Sequence, residues 1–139
     1  MTRPKEKHIH VTCAIIEHQG RVLAAQRSST MAMPLKWEFP GGKIHHGETP
    51  EDCLKRELVE EMNIRVGIIR ALPSSDYRYP DFSLTLYPFV CRIEAGHIIL
   101  HEHSHILWLF PEALPELDWT AADVPVVQCY LACSGCDPL

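Results

Sequence analysis

At 139 residues, with 13 Lys and Arg against 18 Asp and Glu and a formal net charge of −5, the chain suits a single domain over 1–139 and disfavours binding to polymeric nucleic acid. No apolar run approaches a membrane span. The opening MTRPKEKHIHV lacks an apolar stretch of signal-peptide type, so a cytoplasmic protein working away from membranes is expected.

In chain order, residues 9–17 and 22–26 are β-rich runs, joined through His18-Gln19-Gly20-Arg21 as a hairpin-like turn. Residues 28–36 carry no periodicity and read as a loop. A helix follows the turn at Thr49, a good N-cap, with Pro50 suited to the first helical position and Glu51 and Asp52 to the positive end of the dipole. Leu54, Leu58 and Met62 recur at four-residue steps as its buried stripe. Asn63 stands where a left-handed residue would close it. Strands are expected at 65–72 and 83–94, the latter turned by Ala95-Gly96 into 98–101, and another at 104–110. A second helix spans 124–133, capped by Asp123. Strands and helices intermixed in this way predict an α/β fold with a mixed sheet between helices.

Cys13, Cys53 and Cys91 fall in apolar or amphipathic segments, as buried free thiols do. Cys129, Cys133 and Cys136 offer one C-x-x-C pair, short of a structural zinc site, and read as incidental reduced thiols. His101, His103 and His105 alternate, which places them on one strand face as polar strand residues.

The chemistry concentrates in residues 42–64, GKIHHGETPEDCLKRELVEEMNI. Positions three and four apart share a helical face, so Glu57 projects beside Glu60 and Glu61, with Arg56 adjacent and Glu48 upstream. Like charges on one face repel, and folding has no use for them. A hard divalent cation such as Mg²⁺ does, because it takes carboxylate, carbonyl, water and phosphate oxygens.

These residues resemble the Nudix box: G, five residues, E, seven residues, R-E, an aliphatic, any residue, E-E, any residue, G, an aliphatic. Gly42, Glu48, Arg56, Glu57, Leu58, Glu60, Glu61 and Ile64 fall in register, and Asn63 replaces the late glycine. The likeness extends over almost the whole chain, to the MutT-like branch and most closely to its CTP pyrophosphohydrolase group. It rests on Trp37-Glu38-Phe39-Pro40-Gly41-Gly42-Lys43, Tyr79-Pro80-Asp81 before Leu84-Thr85-Leu86, Glu102 six residues before Trp108, and Asp123-Val124-Pro125.

The resemblance implies a Nudix α/β/α sandwich and hydrolysis of a nucleoside triphosphate to the monophosphate and pyrophosphate. It implies Mg²⁺ as cofactor, with Mn²⁺ as a substitute, in a monomer or homodimer. The Gly41 carbonyl, Glu57, Glu60, Glu61 and Glu102 are the expected metal ligands. Glu57 is the first choice as the base that activates water, and Arg56 orients the cluster through its fork of donors with Glu48 as partner. Arg27, Phe39, Tyr79 and Asp123 are the substrate-side candidates, Asp123 favouring cytosine through its amino group. Phe82 falls where MutT has an arginine. An 8-oxo-dGTP sanitising hydrolase is the alternative within enzymes. A non-catalytic nucleotide- or lesion-binding module is the alternative outside them, although such modules have lost the acidic box that is complete here.

Overall fold

A computed structural model describes residues 7–135 of the chain. Strand β1 (Lys7–His18) turns through Gln19 and Gly20, both at positive φ, into β2 (Arg21–Gln26). Short strands β3 (Trp37–Glu38) and β4 (Gly41–Lys43) precede helix α1 (Pro50–Met62). Strands β5 (Ile64–Ala71), β6 (Ser75–Arg78), β7 (Phe82–Gly96) and β8 (His105–Leu109) follow, then a 3₁₀ turn (Pro111–Glu116) and α2 (Val124–Gly135). Among the described residues no helix is long and apolar enough to cross a membrane.

The sheet is mixed, as predicted. Its centre is the parallel pairing of β1 with β7, in register from Lys7 opposite Phe82 to Ile16 opposite Cys91. β5 and β6 join β7 antiparallel, β4 joins β1, and β2 carries β3 and β8. Successive strand residues face opposite sides of a sheet. Accordingly Cys13 and Ile15 enter the core beneath α2 with Val126 and Tyr130, while Ala14 and Ile16 pack on Leu54, Leu58 and Met62 of α1. Helices on both faces of one sheet give the α/β/α sandwich.

Helix α1 begins and ends where the sequence places it. Thr49 accepts from the Asp52 N–H at 3.1 Å. Asn63 sits at φ 59°, ψ 33°, with its N–H directed to the Leu58 and Val59 carbonyls. Three strands escaped prediction, β3, β4 and β6, because a run of two to four residues shows no alternation to read.

One expected strand does not form. Residues 98–101 are an irregular connection that crosses the C-terminal end of α1, where the Ile99 N–H bonds the Met62 carbonyl (3.0 Å) and the His101 N–H bonds the Glu61 carbonyl (3.2 Å). Those carbonyls have no partner within the helix. The segment therefore completes a helix end, not a sheet. In consequence His101, His103 and His105 do not share a strand face: only His105 lies in β8, and His103 is buried.

Candidate active site

Gly41 and Gly42 bring β4 against both β1 and α1. A Cβ on Gly41 would collide with the Thr12 carbonyl of β1, and one on Gly42 would overlap the Glu57 carboxyl group. Neither glycine has positive φ, so close approach, not backbone freedom, accounts for both. At Gly41 this steric reason is invisible in the sequence, where only a carbonyl free to reach a metal could be foreseen.

Arg56 is the hub of the box. Its Nε and Nη2 grip Glu48 in a two-point pair (2.6 and 3.0 Å), Nη1 reaches Glu57 (3.0 Å) and Glu60 (3.1 Å), and Nη2 also meets the Lys43 carbonyl (3.2 Å). The guanidinium holds the Glu48 carboxyl down near a pKa of about 2. Its grip fixes one oxygen of Glu57 and leaves the other unengaged by the arginine.

One turn further, Glu61 is packed inward, and its Oε2 is buried without a partner. Burial, then the charges of Glu57 and Glu102, push its pKa up to about 9. A carboxylate in that setting holds a proton unless a cation replaces it. Among the described residues no three such side chains close into a finished cage. Even so, an orphaned carboxylate oxygen among carboxylates fits a hard divalent cation by charge and by donor type. Glu60 is not gathered with the others. Its side chain is 58% exposed and turned to Arg56, whereas that of Glu57 is 12% exposed; neither lines the cleft itself.

The cleft is a cavity of about 440 Å³; Glu61 and Glu102, close enough for their charges to act on each other, make its acidic end, and Phe39, Tyr79, Ala122 and Asp123, joined by the contacts below, its apolar end. Phe39 packs at a tilt against Trp119 (centroids 4.7 Å apart, planes 37° apart) and Tyr79 stacks on Phe82 (5.1 Å). The Tyr79 hydroxyl accepts from the Ala122 N–H at 3.1 Å. Asp123, expected to cap α2, uses its carboxylate otherwise: Oδ2 accepts from the Phe39 N–H at 2.7 Å. Its backbone carbonyl takes the Val127 N–H. Complete burial, then the charge of Glu38, raises its pKa to about 7, against the pull of hydrogen bonds from Phe39 and Thr120.

Between the two ends lies a group of which the sequence assigned only Arg27; its Glu38 acts by charge on both Glu61 and Asp123. Glu38 pairs with Arg27 (Nη1 to Oε1, 2.9 Å) and with His103 (Nε2 to Oε2, 2.8 Å). Arg27 also gives its Nε to the Ala32 carbonyl at 2.6 Å. All three line the cleft. Glu38 was legible as part of the segment before the box. His103 had no sequence signal beyond an alternation that pointed the wrong way.

The model of the NUDIX domain matches residues 6–128. The chain belongs to that family. It is a Nudix hydrolase of the pyrophosphohydrolase kind, and the reading as a non-catalytic module falls. Among relatives, the CTP pyrophosphohydrolase of Escherichia coli K12 is 30% identical over 132 residues, covering 95% of this chain and 98% of that one. The 8-oxo-dGTP diphosphatase of the same organism is 30% identical over 122 residues, covering 87% and 95%. The solution structure of the E. coli ORF135 protein, also 30% identical, covers 96% of this chain and 95% of its own with a TM-score of 0.83. Of the thiols, Cys13, Cys53 and Cys91 are buried as expected, while Cys133 is exposed. Cys136 lies outside the described residues.

Proposed function

We propose that this Nudix hydrolase is a Mg²⁺-dependent nucleoside triphosphate pyrophosphohydrolase that releases a monophosphate and pyrophosphate, with CTP, dCTP or a modified cytosine nucleotide as substrate. The observation that carries the substrate reading is Asp123, a fully buried carboxylate at the apolar end of the cleft beside Phe39 and Tyr79. Cytosine offers an amino donor that a carboxylate accepts. The relative named for CTP hydrolysis supports the same reading.

Bound Mg²⁺ would neutralise phosphate oxygens and acidify a water. The Gly41 carbonyl, Glu57, Glu61 and Glu102 are the residues to hold it, and Glu60 joins them only by turning away from Arg56. Glu57 takes the proton of the attacking water, because Arg56 holds one of its oxygens and so keeps the other in place. Arg56 and Glu48 keep that carboxylate oriented. Arg27 meets the phosphates between the two ends, and Phe39 and Tyr79 line the base site. Manganese is the expected substitute.

A second reading, hydrolysis of 8-oxo-dGTP, is favoured by the relative of that name. A pyrophosphate-release assay over CTP, dCTP, 5-substituted cytosine nucleotides, UTP and 8-oxo-dGTP separates them. The highest specificity constant should fall on a cytosine nucleotide. A preference for 8-oxo-dGTP above all of these would replace the first reading with the second.

A further inference from the structure

The connection between β7 and β8 carries Glu102 to the acidic end of the cleft, and three backbone bonds pin it. The Ile99 and His101 N–H groups close the end of α1, and the Ser104 N–H bonds the Gln26 carbonyl (3.0 Å) at the end of β2. Between those anchors the side chain of His103 is 3% exposed, and its Nε2 lies 2.8 Å from Glu38 Oε2. Facing a carboxylate that can only accept, Nε2 is the nitrogen that donates. The Nδ1 is buried and has no partner. An imidazole with half its bonding capacity unused in the interior is a poor choice for packing alone.

The other oxygen of Glu38 receives Arg27. One carboxylate on β3 thus ties the arginine beside the phosphate path to the residue next to Glu102. We propose that His103 is a positioning residue: by donating to Glu38 it locks the carboxylate that orients Arg27 and fixes the segment that presents Glu102, so one buried strut sets both ends of the cleft. This rests on the reading that Glu102 faces the cation and Arg27 the phosphates. His103 touches neither.

The test uses the full chain and two binding constants, neither of which depends on turnover. One is for Mn²⁺ alone, by electron paramagnetic resonance. The other is for a cytidine triphosphate with a non-hydrolysable α,β-methylene bridge. His103→Leu should weaken both by about tenfold, the scale on which residues behind metal ligands act. His103→Gln, which keeps a donor for Glu38, should restore most of both. Glu38→Ala should weaken both as well, and the Glu38→Ala/His103→Leu double variant should be no weaker than Glu38→Ala. Arg27→Ala and Glu102→Gln report on the two ends separately. If these two lose their respective ligand while His103→Leu binds both like wild type, the strut is overturned and the site stands. The strut is equally overturned if His103→Leu moves only one constant, or adds its full loss to that of Glu38→Ala. If Arg27→Ala and Glu102→Gln lose nothing, the site reading and the strut fall together.

Discussion

A methyl group at residue 42 would meet the carboxyl of Glu57, whereas one at residue 41 would meet the backbone of Thr12. A side chain can swing aside, and a paired strand cannot. Gly41→Ala should therefore cost stability, about 1–3 kcal/mol or more, read as a fall in the melting midpoint. Gly42→Ala should fold nearly normally and lose turnover by moving Glu57. Equal melting and turnover for the two variants would contradict this separation. Within the box, Glu57→Gln and Glu61→Gln should each reduce turnover on the order of 10²-fold or more with the fold intact. Near wild-type turnover at saturating Mg²⁺ would detach these glutamates from catalysis. Asp123 offers a pH signature. Below its pKa of about 7 it holds a proton and can pair with either pyrimidine; above it, only acceptors remain, which suit cytosine and oppose the uracil carbonyl. The ratio of kcat/KM for CTP over UTP should rise with pH through 7, towards roughly ten- to a hundredfold. Asp123→Asn should flatten it. A ratio that stays constant from pH 6 to 8 in the wild type would remove Asp123 from base selection.

Helix α1 shows what sequence reveals about an element and what it conceals. Its caps, its buried stripe and its glutamates follow from local rules, and each is present. What it docks against is not local. Residues 97–104 contain His97-Ile98-Ile99-Leu100, a run as β-prone as many strands, and only the unpaired carbonyls of Glu61 and Met62 explain its path. Asn63 shows the same division. Its left-handed backbone is legible, but its Nδ2 also donates to the His97 carbonyl at 3.2 Å. Asn63→Gly relieves the backbone and loses that exposed bond, so the two effects should cancel to within about 0.5 kcal/mol, with activity retained. A melt that falls by more than about 1.5 kcal/mol would show that the side-chain bond governs.

For the whole molecule, the raised pKa values set how stability varies with pH. Glu61 is near 9 in the fold against an ordinary 4.5, and Asp123 near 7 against 3.8. Both keep protons that the unfolded chain has released, so the metal-free protein should lose stability as pH rises from about 4 to 9. Glu48 acts in the opposite sense, but only as pH falls from 4.5 towards 2. Melts in chelator between pH 5 and 9 should show a declining midpoint, shallower in Glu61→Gln and shallower with Mg²⁺. A flat profile without metal would mean that Glu61 is not held protonated. The mixed sheet and its two helical layers were legible from the interleaving of element types. The strand order was not, since nothing local in residues 7–16 announces a partner at 82–91.

That distant partnership has a consequence for how the protein is made. β1 meets β2 in the ladder only near their turn, at Glu17 opposite Val22 and His18 opposite Arg21. The rest of β1 depends on β7, apart from the short β4. On a ribosome, Val11-Thr12-Cys13-Ala14-Ile15-Ile16 must wait with most of its ladder unfilled until residue 91 has emerged. The segment is uncharged, lacks proline and is rich in β-branched residues, the composition of strands that pair with the wrong neighbour. Loop closure over that distance also slows folding. The vulnerable interval in this protein's life is therefore its synthesis, and chaperone demand and aggregation in cells should follow the delay before β7 arrives more closely than the stability of the finished fold.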